Sequence, residues 1–186
     1  MELFPTKLAG LVCISPTVLG DSRGFFMEAF NKAAFAKAGI THDVLQHNQS
    51  RSQKGVVRGL HFQWEQPLGK LIRVTRGRAF MVAVDIRKNS PTLGGWEAAE
   101  FSEENKKMLF APFGFATGFC ALEDDTDVEY YYNTYYNKEG ESNIIWNDPD
   151  IHIEWPITDP SLSERDRGAQ TLKEWLATPQ SDLFQL

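Results

Sequence analysis

Turn-forming residues cut the sequence into short apolar stretches, and this punctuation constrains the fold more than any other feature. Clusters such as Asp21-Ser22-Arg23-Gly24, Asn89-Ser90-Pro91-Thr92, Gly94-Gly95 and Asn147-Asp148-Pro149-Asp150 leave segments of strand length between them. In the clearest of these, Ala79 to Arg87, the residues Phe80, Val82, Val84 and Ile86 share one face by a period of two. Similar segments run from Leu11 to Ile14, Phe25 to Phe30, Val56 to Phe62, Trp96 to Phe101, Val128 to Tyr136, Ile144 to Trp146 and Ile151 to Trp155. Lys70 to Arg76 and Ala79 to Arg87 flank Arg76-Gly77-Arg78 and read as a β-hairpin. Helix is confined to short pieces: Asn31 caps a segment through Ala38 stopped by Gly39, Ser163 to Asp166 reads as a capping box, and Thr171 to Ala177 lies near the end. At least eight short strands with short peripheral helices predict one all-β domain over 1–186, an antiparallel double-sheet jelly roll.

A chain of 186 residues can bury a core without staples. Its 19 basic and 25 acidic side chains, net charge -6, provide no basic field for nucleic acid, though a local basic pocket for a phosphorylated small molecule stays open. Cys13 and Cys120 both sit among apolar neighbours and read as buried thiols. No apolar run reaches membrane-spanning length, so a cytoplasmic protein without a membrane partner is expected.

The segment Arg58-Gly59-Leu60-His61-Phe62-Gln63 puts an imidazole and a guanidinium into a strand-like run. A histidine held by sheet packing can serve as a base, or can simply be satisfied at the edge of a core. His61 and Arg58 have opposite strand parity, and a bulge at Gly59 would re-aim one of them. His42, His47, His61 and His152 form no His-x-His pair, residue 63 is glutamine, and no metal site is expected. Phosphate-binding loops and nucleophile motifs are also missing. General acid and base chemistry remains, with His61 as base, Tyr136 or Tyr130 as acid, and Arg58 and Lys70 as cations. Tyr130, Tyr132, Thr134 and Tyr136 share one face of their segment, as do Gln46 and Asn48 of theirs, whose amides require a buried network or a ligand. Trp64 lies in a loop and is a candidate for stacking on a base or for a lid contact.

Several separated motifs occur in order along the chain. They include Asp21-x-Arg23-Gly24-x-Phe26-x-Glu28-x-Phe30, Gln46-x-Asn48-x-Ser50, Arg58-Gly59-Leu60-His61-x-Gln63, Gly69-Lys70-Leu71, Val84-Asp85-Ile86-Arg87, Ser90-Pro91-Thr92-x-Gly94, Pro112-x-Gly114-Phe115-Ala116, Trp146-x-Asp148-Pro149 and Leu162-Ser163-x-x-Asp166. On these motifs the chain resembles the dTDP-4-dehydrorhamnose 3,5-epimerase family of the cupin superfamily. The resemblance implies a jelly-roll homodimer that exchanges N-terminal strands, uses no metal or organic cofactor, and acts on a dTDP-linked 4-keto-6-deoxy sugar.

Carried over residue by residue, it makes His61 the base beside the C4 ketone, Asp166 its orienting carboxylate and Tyr136 the acid on the opposite face. Arg58 and Lys70 would stabilise the enolate oxygen. Arg23, Phe26, Glu28, Gln46 and Asn48 would contact the nucleotide sugar. Thr117 departs from the pattern, because the family commonly carries histidine there. That departure implies inversion at one carbon or a different 4-keto sugar nucleotide, with a 3,4-ketoisomerase or a non-catalytic sugar-nucleotide-binding cupin as alternatives.

Overall fold

The computed structural model describes residues 1–185. Along the chain it forms β1 (Glu2–Pro5), β2 (Val12–Ser15), β3 (Val18–Asp21), β4 (Gly24–Met27), α1 (Lys32–Lys37), β5 (Gln46–Ser52), β6 (Val57–Gln63) and β7 (Lys70–Arg76). It continues with β8 (Arg78–Asp85), β9 (Trp96–Ser102), β10 (Met108–Ala111), β11 (Phe115–Ala121), β12 (Thr126–Tyr132), β13 (Glu141–Asn143), α2 (Glu164–Arg167) and α3 (Leu172–Leu176). The expected double-sheet architecture is present. One sheet has the order β1-β2-β10-β7-β12-β5, the other β13-β6-β11-β8-β9, and every strand pair is antiparallel.

Burial on three faces follows from strand alternation. Between the sheets, Ile72, Val74, Met81, Phe115, Phe119 and Val128 form the main core. On the far side of the five-stranded sheet, Val82, Val84 and Ile86 pack against Trp175 and Phe184 near the C-terminus. Strand β8 is thus buried on both faces, with small or unbranched Ala79, Met81 and Ala83 inside and the branched set outside. Helix α1 covers the outer face of the other sheet, setting Phe35 on Ile14, Leu71 and Met108. Its Asn31 cap accepts from the amides of Ala33 and Ala34 as the sequence implied, and Gly39 takes φ +87 after the last turn.

Several local expectations are corrected. The segments β7 and β8 do not form a hairpin: β7 pairs with β10 and β12, β8 with β11 and β9. Gly77, at φ +69, is instead a corner passing the chain between sheets, where a Cβ would meet Thr126 Oγ1 at 2.8 Å. Strand β12 stops at Tyr132, so Thr134 and Tyr136 lie beyond the ladder. Ile151 to Trp155 forms no strand; its apolar side chains pack on the outer face of the five-stranded sheet, and Trp155 Nε1 donates to the Trp146 carbonyl at 2.7 Å. Near Ile144 the strand is Glu141–Asn143, with Ile144 bridging to Gln170. The reading of Phe25 to Phe30 shortens to Gly24–Met27. At Ser163 the capping is not reciprocal through the backbone, since Asp166 accepts from the Ser163 hydroxyl; the reciprocal box belongs to Thr171 and Glu174.

The Asp85 to Thr92 motif proves to be scaffold. Asp85 is fully buried and accepts from the Arg87 guanidinium at 2.8 and 2.7 Å, the Ser90 hydroxyl at 2.6 Å and the Thr92 hydroxyl at 2.7 Å. One charge is thereby paired and saturated inside the fold, which makes its burial tolerable.

The irregularity that matters for the site is in β6. Thr117 pairs with His61 and Phe119 with Arg58, so one residue of β11 faces two of β6. A Cβ on Gly59, whose φ is +142, would lie 2.5 Å from the Gly118 Cα. Replacing Gly59 with alanine should therefore destabilise the fold by at least roughly 1–3 kcal/mol, the range for overpacking a tight contact. Urea unfolding checks this, and an unchanged midpoint at unchanged slope would contradict it.

Candidate active site

The two-against-one pairing decides which side chains meet. Thr117 and Phe119 point to the same face of β11, so their partners His61 and Arg58 share that face as well. Both border one cavity between the sheets, together with Lys70, Thr117, Tyr130 and Tyr132, with Tyr136 and Glu141 also on its wall. The bulge foreseen at Gly59 thus brings together residues that a regular strand would separate.

His61 Nε2 lies 2.5 Å from Asp166 Oδ1. Asp166 is buried on α2, and its second oxygen accepts from the Ser163 hydroxyl at 2.8 Å. Burial alone pushes this carboxyl up, but the hydrogen bonds from His61 and Ser163 and the positive charges of His61 and Arg165 bring it below the ordinary carboxylate range. A carboxylate so held accepts a hydrogen bond from one ring N–H and leaves the other nitrogen free to accept.

Lys70 opens β7 and is buried. Its ammonium donates to the His61 carbonyl and to Thr117 Oγ1, both at 2.9 Å. Two of its three donors are thus fixed and one remains for a ligand. Burial pushes its pKa down to about 8, against the attraction of Glu141 and with the repulsion of Arg165. Arg58 is steered by donation from Nε to Ser52 Oγ at 2.9 Å and from Nη2 to the Arg51 carbonyl at 3.2 Å.

The two candidate acids differ in setting. Tyr130 lies on β12 with its hydroxyl 3.2 Å from Ser50 Oγ, and burial raises its phenol well above the ordinary value. Tyr136 belongs to the segment after β12 and is 46% exposed. Its hydroxyl donates to Glu141 Oε2 at 2.7 Å, and that carboxylate is held by Arg165 at 2.6 Å. The bond to Glu141, then burial and the Glu141 charge, raise this phenol too.

Gln46 and Asn48 face the same side of β5, joined by a hydrogen bond of 3.0 Å, and Gln46 Oε1 also accepts from the Tyr136 amide at 2.8 Å. Arg23, Phe26 and Glu28 stand apart from the cavity. They lie on or just after the β3-β4 hairpin, where Arg23 pairs with Asp21, Phe26 is 70% exposed and Glu28 accepts from Asn31 Nδ2 at 3.0 Å. Trp64 packs against the outer core of the five-stranded sheet. Sequence reasoning missed Ser50 as the Tyr130 partner, and Glu141 and Arg165 as a pair on the wall. The only signal for Arg165 was its place beside Asp166. Among the described residues, no three His, Cys, Asp or Glu side chains gather as a metal site, and no helix is long and apolar enough to cross a membrane.

The family model for dTDP-4-dehydrorhamnose 3,5-epimerase matches residues 5–174. The chain belongs to that family. A dTDP-4-dehydrorhamnose 3,5-epimerase from Methanothermobacter thermautotrophicus is 49% identical over 172 residues, 91% of this chain and 93% of the relative. A dTDP-6-deoxy-D-glucose-3,5-epimerase from Legionella pneumophila, solved with dTDP-4-keto-L-rhamnose, superposes with a TM-score of 0.92 at 41% identity, covering 99% of this chain and 97% of that one. A 3'-monoepimerase from Streptomyces bikiniensis, solved with dTDP-quinovose, gives a TM-score of 0.87 at 32% identity, covering 95% and 93%. The family is thus established together with the cupin jelly roll.

Lys70 should lose its charge as pH rises through about 8, which NMR of its side-chain CεH₂ resonances will report. Because its unfolded value is about 10.4, the unfolded chain binds more protons between these limits, and stability should rise with pH across the window. A Lys70 titration at the unperturbed value would contradict the electrostatic account.

Proposed function

We propose that this family member inverts carbons next to the C4 ketone of a dTDP-linked 4-keto-6-deoxyhexose, with no metal or organic cofactor. The observation carrying the reading is that His61, paired with Asp166, borders the same cavity as Lys70 and Arg58. Removing a proton beside a ketone moves negative charge onto its oxygen. Fixed cations aimed at that oxygen stabilise the transition state more than the substrate, and one preorganised donor is worth roughly 3–4 kcal/mol.

His61, oriented by Asp166, takes the proton through its free nitrogen. Lys70, with one donor unspent, and Arg58 hold the enolate oxygen. Inversion needs a proton returned to the other face. We assign this step to Tyr130 rather than Tyr136, because Tyr130 is half-buried on the cavity wall with its hydroxyl beside Ser50, whereas the Tyr136 proton is directed at Glu141. Tyr136 then forms the cavity wall, with Gln46 and Asn48 beside it. A nucleotide sugar as substrate fits the cytoplasmic setting expected from the sequence.

A second reading, inversion at one carbon only, is favoured by Thr117. This hydroxyl stands opposite His61 and accepts from Lys70, and it cannot relay protons as an imidazole does. Turnover of dTDP-4-keto-6-deoxyglucose in deuterated water, read by NMR at C3 and C5, separates the readings. Label at both carbons is expected for the first, at one for the second, and none would refute both. Tyr130→Phe should keep label exchange and lose inverted product, while Tyr136→Phe should keep inversion. The reverse pattern would return the acid role to Tyr136.

The exposed hairpin supports a homodimer with exchanged N-terminal strands. Leu19, Phe25 and Phe26 are 63%, 60% and 70% exposed on it, and Arg23 extends beside them. Apolar side chains so presented suit insertion against a second copy. Arg23, Phe26 and Glu28 would then serve the partner's cavity. Co-expressed Arg23→Ala and His61→Asn chains should regain roughly a quarter of parental turnover, because half of randomly formed dimers are mixed and each has one intact site of two. No recovery would contradict contribution across the interface.

A further inference from the structure

Gln63 lies two residues beyond His61 on β6 and is 1% exposed. An amide buried so completely must find partners for both its ends. All of them are backbone groups, one in its own β6–β7 connection and two in the chain around Tyr136. Gln63 Nε2 donates to the carbonyls of Gln66 at 2.9 Å and Tyr135 at 3.1 Å, and Gln63 Oε1 accepts from the Asn137 amide at 2.8 Å. The bonds to residues 135 and 137 bracket Tyr136, whose own amide donates to Gln46 Oε1.

Elsewhere the loop is fastened by Asn137 Nδ2, which donates to Glu65 Oε2 at 2.7 Å, and by the Trp64 amide, which donates to the Gly140 carbonyl at 2.7 Å. Its residues lie past the end of β12, outside either sheet, and Tyr135 is 62% exposed. A segment without a ladder takes its geometry from side chains that satisfy its backbone. Gln63 and Gln46 approach it from different sheets, β6 in one and β5 in the other.

We propose that Gln63 is a positioning residue, fixing the Tyr136 loop over the cavity so that its wall stands in register with His61. The inference rests on the epimerase reading for its catalytic meaning and on the geometry alone for its structural part. Gln63 touches no reacting atom. Its effect passes through the loop backbone to Tyr136, so losing it weakens nucleotide-sugar binding and leaves the proton steps at His61 in place.

The test compares Gln63→Leu, Tyr136→Ala and the double variant for KM and kcat, alongside calorimetric binding of dTDP. Leucine leaves the Asn137 N–H and the Tyr135 carbonyl without their partner, and KM should rise roughly tenfold, toward the low end of what such unpaired buried groups cost, with kcat changing much less. In the Tyr136→Ala background the same change should have little further effect on KM, since the two act through one element. Additive effects, an unchanged KM, or a loss confined to kcat would overturn the proposal.

If Gln63→Leu does not fold, amide hydrogen exchange in the unaltered protein decides the matter. The Asn137 amide, which donates to Gln63 Oε1, should exchange at least ~10-fold more slowly than that of Lys138, and equal rates would overturn the proposal. If the parent protein neither labels the sugar nor binds dTDP, the epimerase reading fails, while the exchange rates still judge the hold of Gln63 on the loop.

Discussion

The extra residue of β6 at Gly59 is the constraint on which the site depends. Without it, the alternation of a strand would send Arg58 and His61 to opposite faces, one into the cavity and one into the outer core. Two glycines facing each other across the ladder let the backbones approach closely enough for the bulge to fit. The same tight contact keeps Thr117 opposite His61 and within reach of Lys70. Local backbone irregularity therefore does what side-chain placement on regular strands cannot, gathering a guanidinium, an imidazole and an ammonium around one volume.

The two sheets divide the remaining work. Apolar residues between them support one end of the cavity, and the C-terminal segments cover the outer face of the five-stranded sheet, shielding the strands that carry His61 and Thr117. The polar interior is tolerated because its groups are paired: Asp166 with His61 and Ser163, Lys70 with a carbonyl and a hydroxyl. What is left unspent is one nitrogen of His61 and one donor of Lys70, the two groups that the proposed reaction would use. This economy also explains why Lys70 sits near neutrality, since burial opposes its charge and only partial compensation is supplied by Glu141.

Much of this was legible in the sequence, and the physical reasons differ by element. The period of two in Phe80, Val82, Val84 and Ile86 disclosed a sheet face because alternation is a local property of strands. Asn31 and Gly39 disclosed α1 because caps are local too. The parity conflict between Arg58 and His61 disclosed the bulge. The supposed hairpin at Gly77 failed because a glycine corner between sheets and a turn within one sheet have the same short-range composition. Tyr136 was placed on a strand because its tyrosine-rich run alternates past the point where the ladder ends, and the side chains that hold the backbone beyond it, Gln46 and Gln63, come from other strands. Arg23, Phe26 and Glu28 were recognisable only as motif members, and in the isolated chain nothing brings them to the cavity. Glu141 carried no local signal, since its importance arises from Arg165, 24 residues away.

Helix α2 is a single turn of four residues, yet it supplies both Asp166, which holds the His61 imidazole, and Arg165, which grips the Glu141 carboxylate that accepts from Tyr136. The two ends of the cavity are therefore hinged on one small piece of backbone. Tilting that turn would misalign the imidazole and loosen the entrance together, so neither can drift without the other. Reshaping the entrance for a bulkier nucleotide would succeed best through the loop beyond β12, leaving this shared pivot untouched.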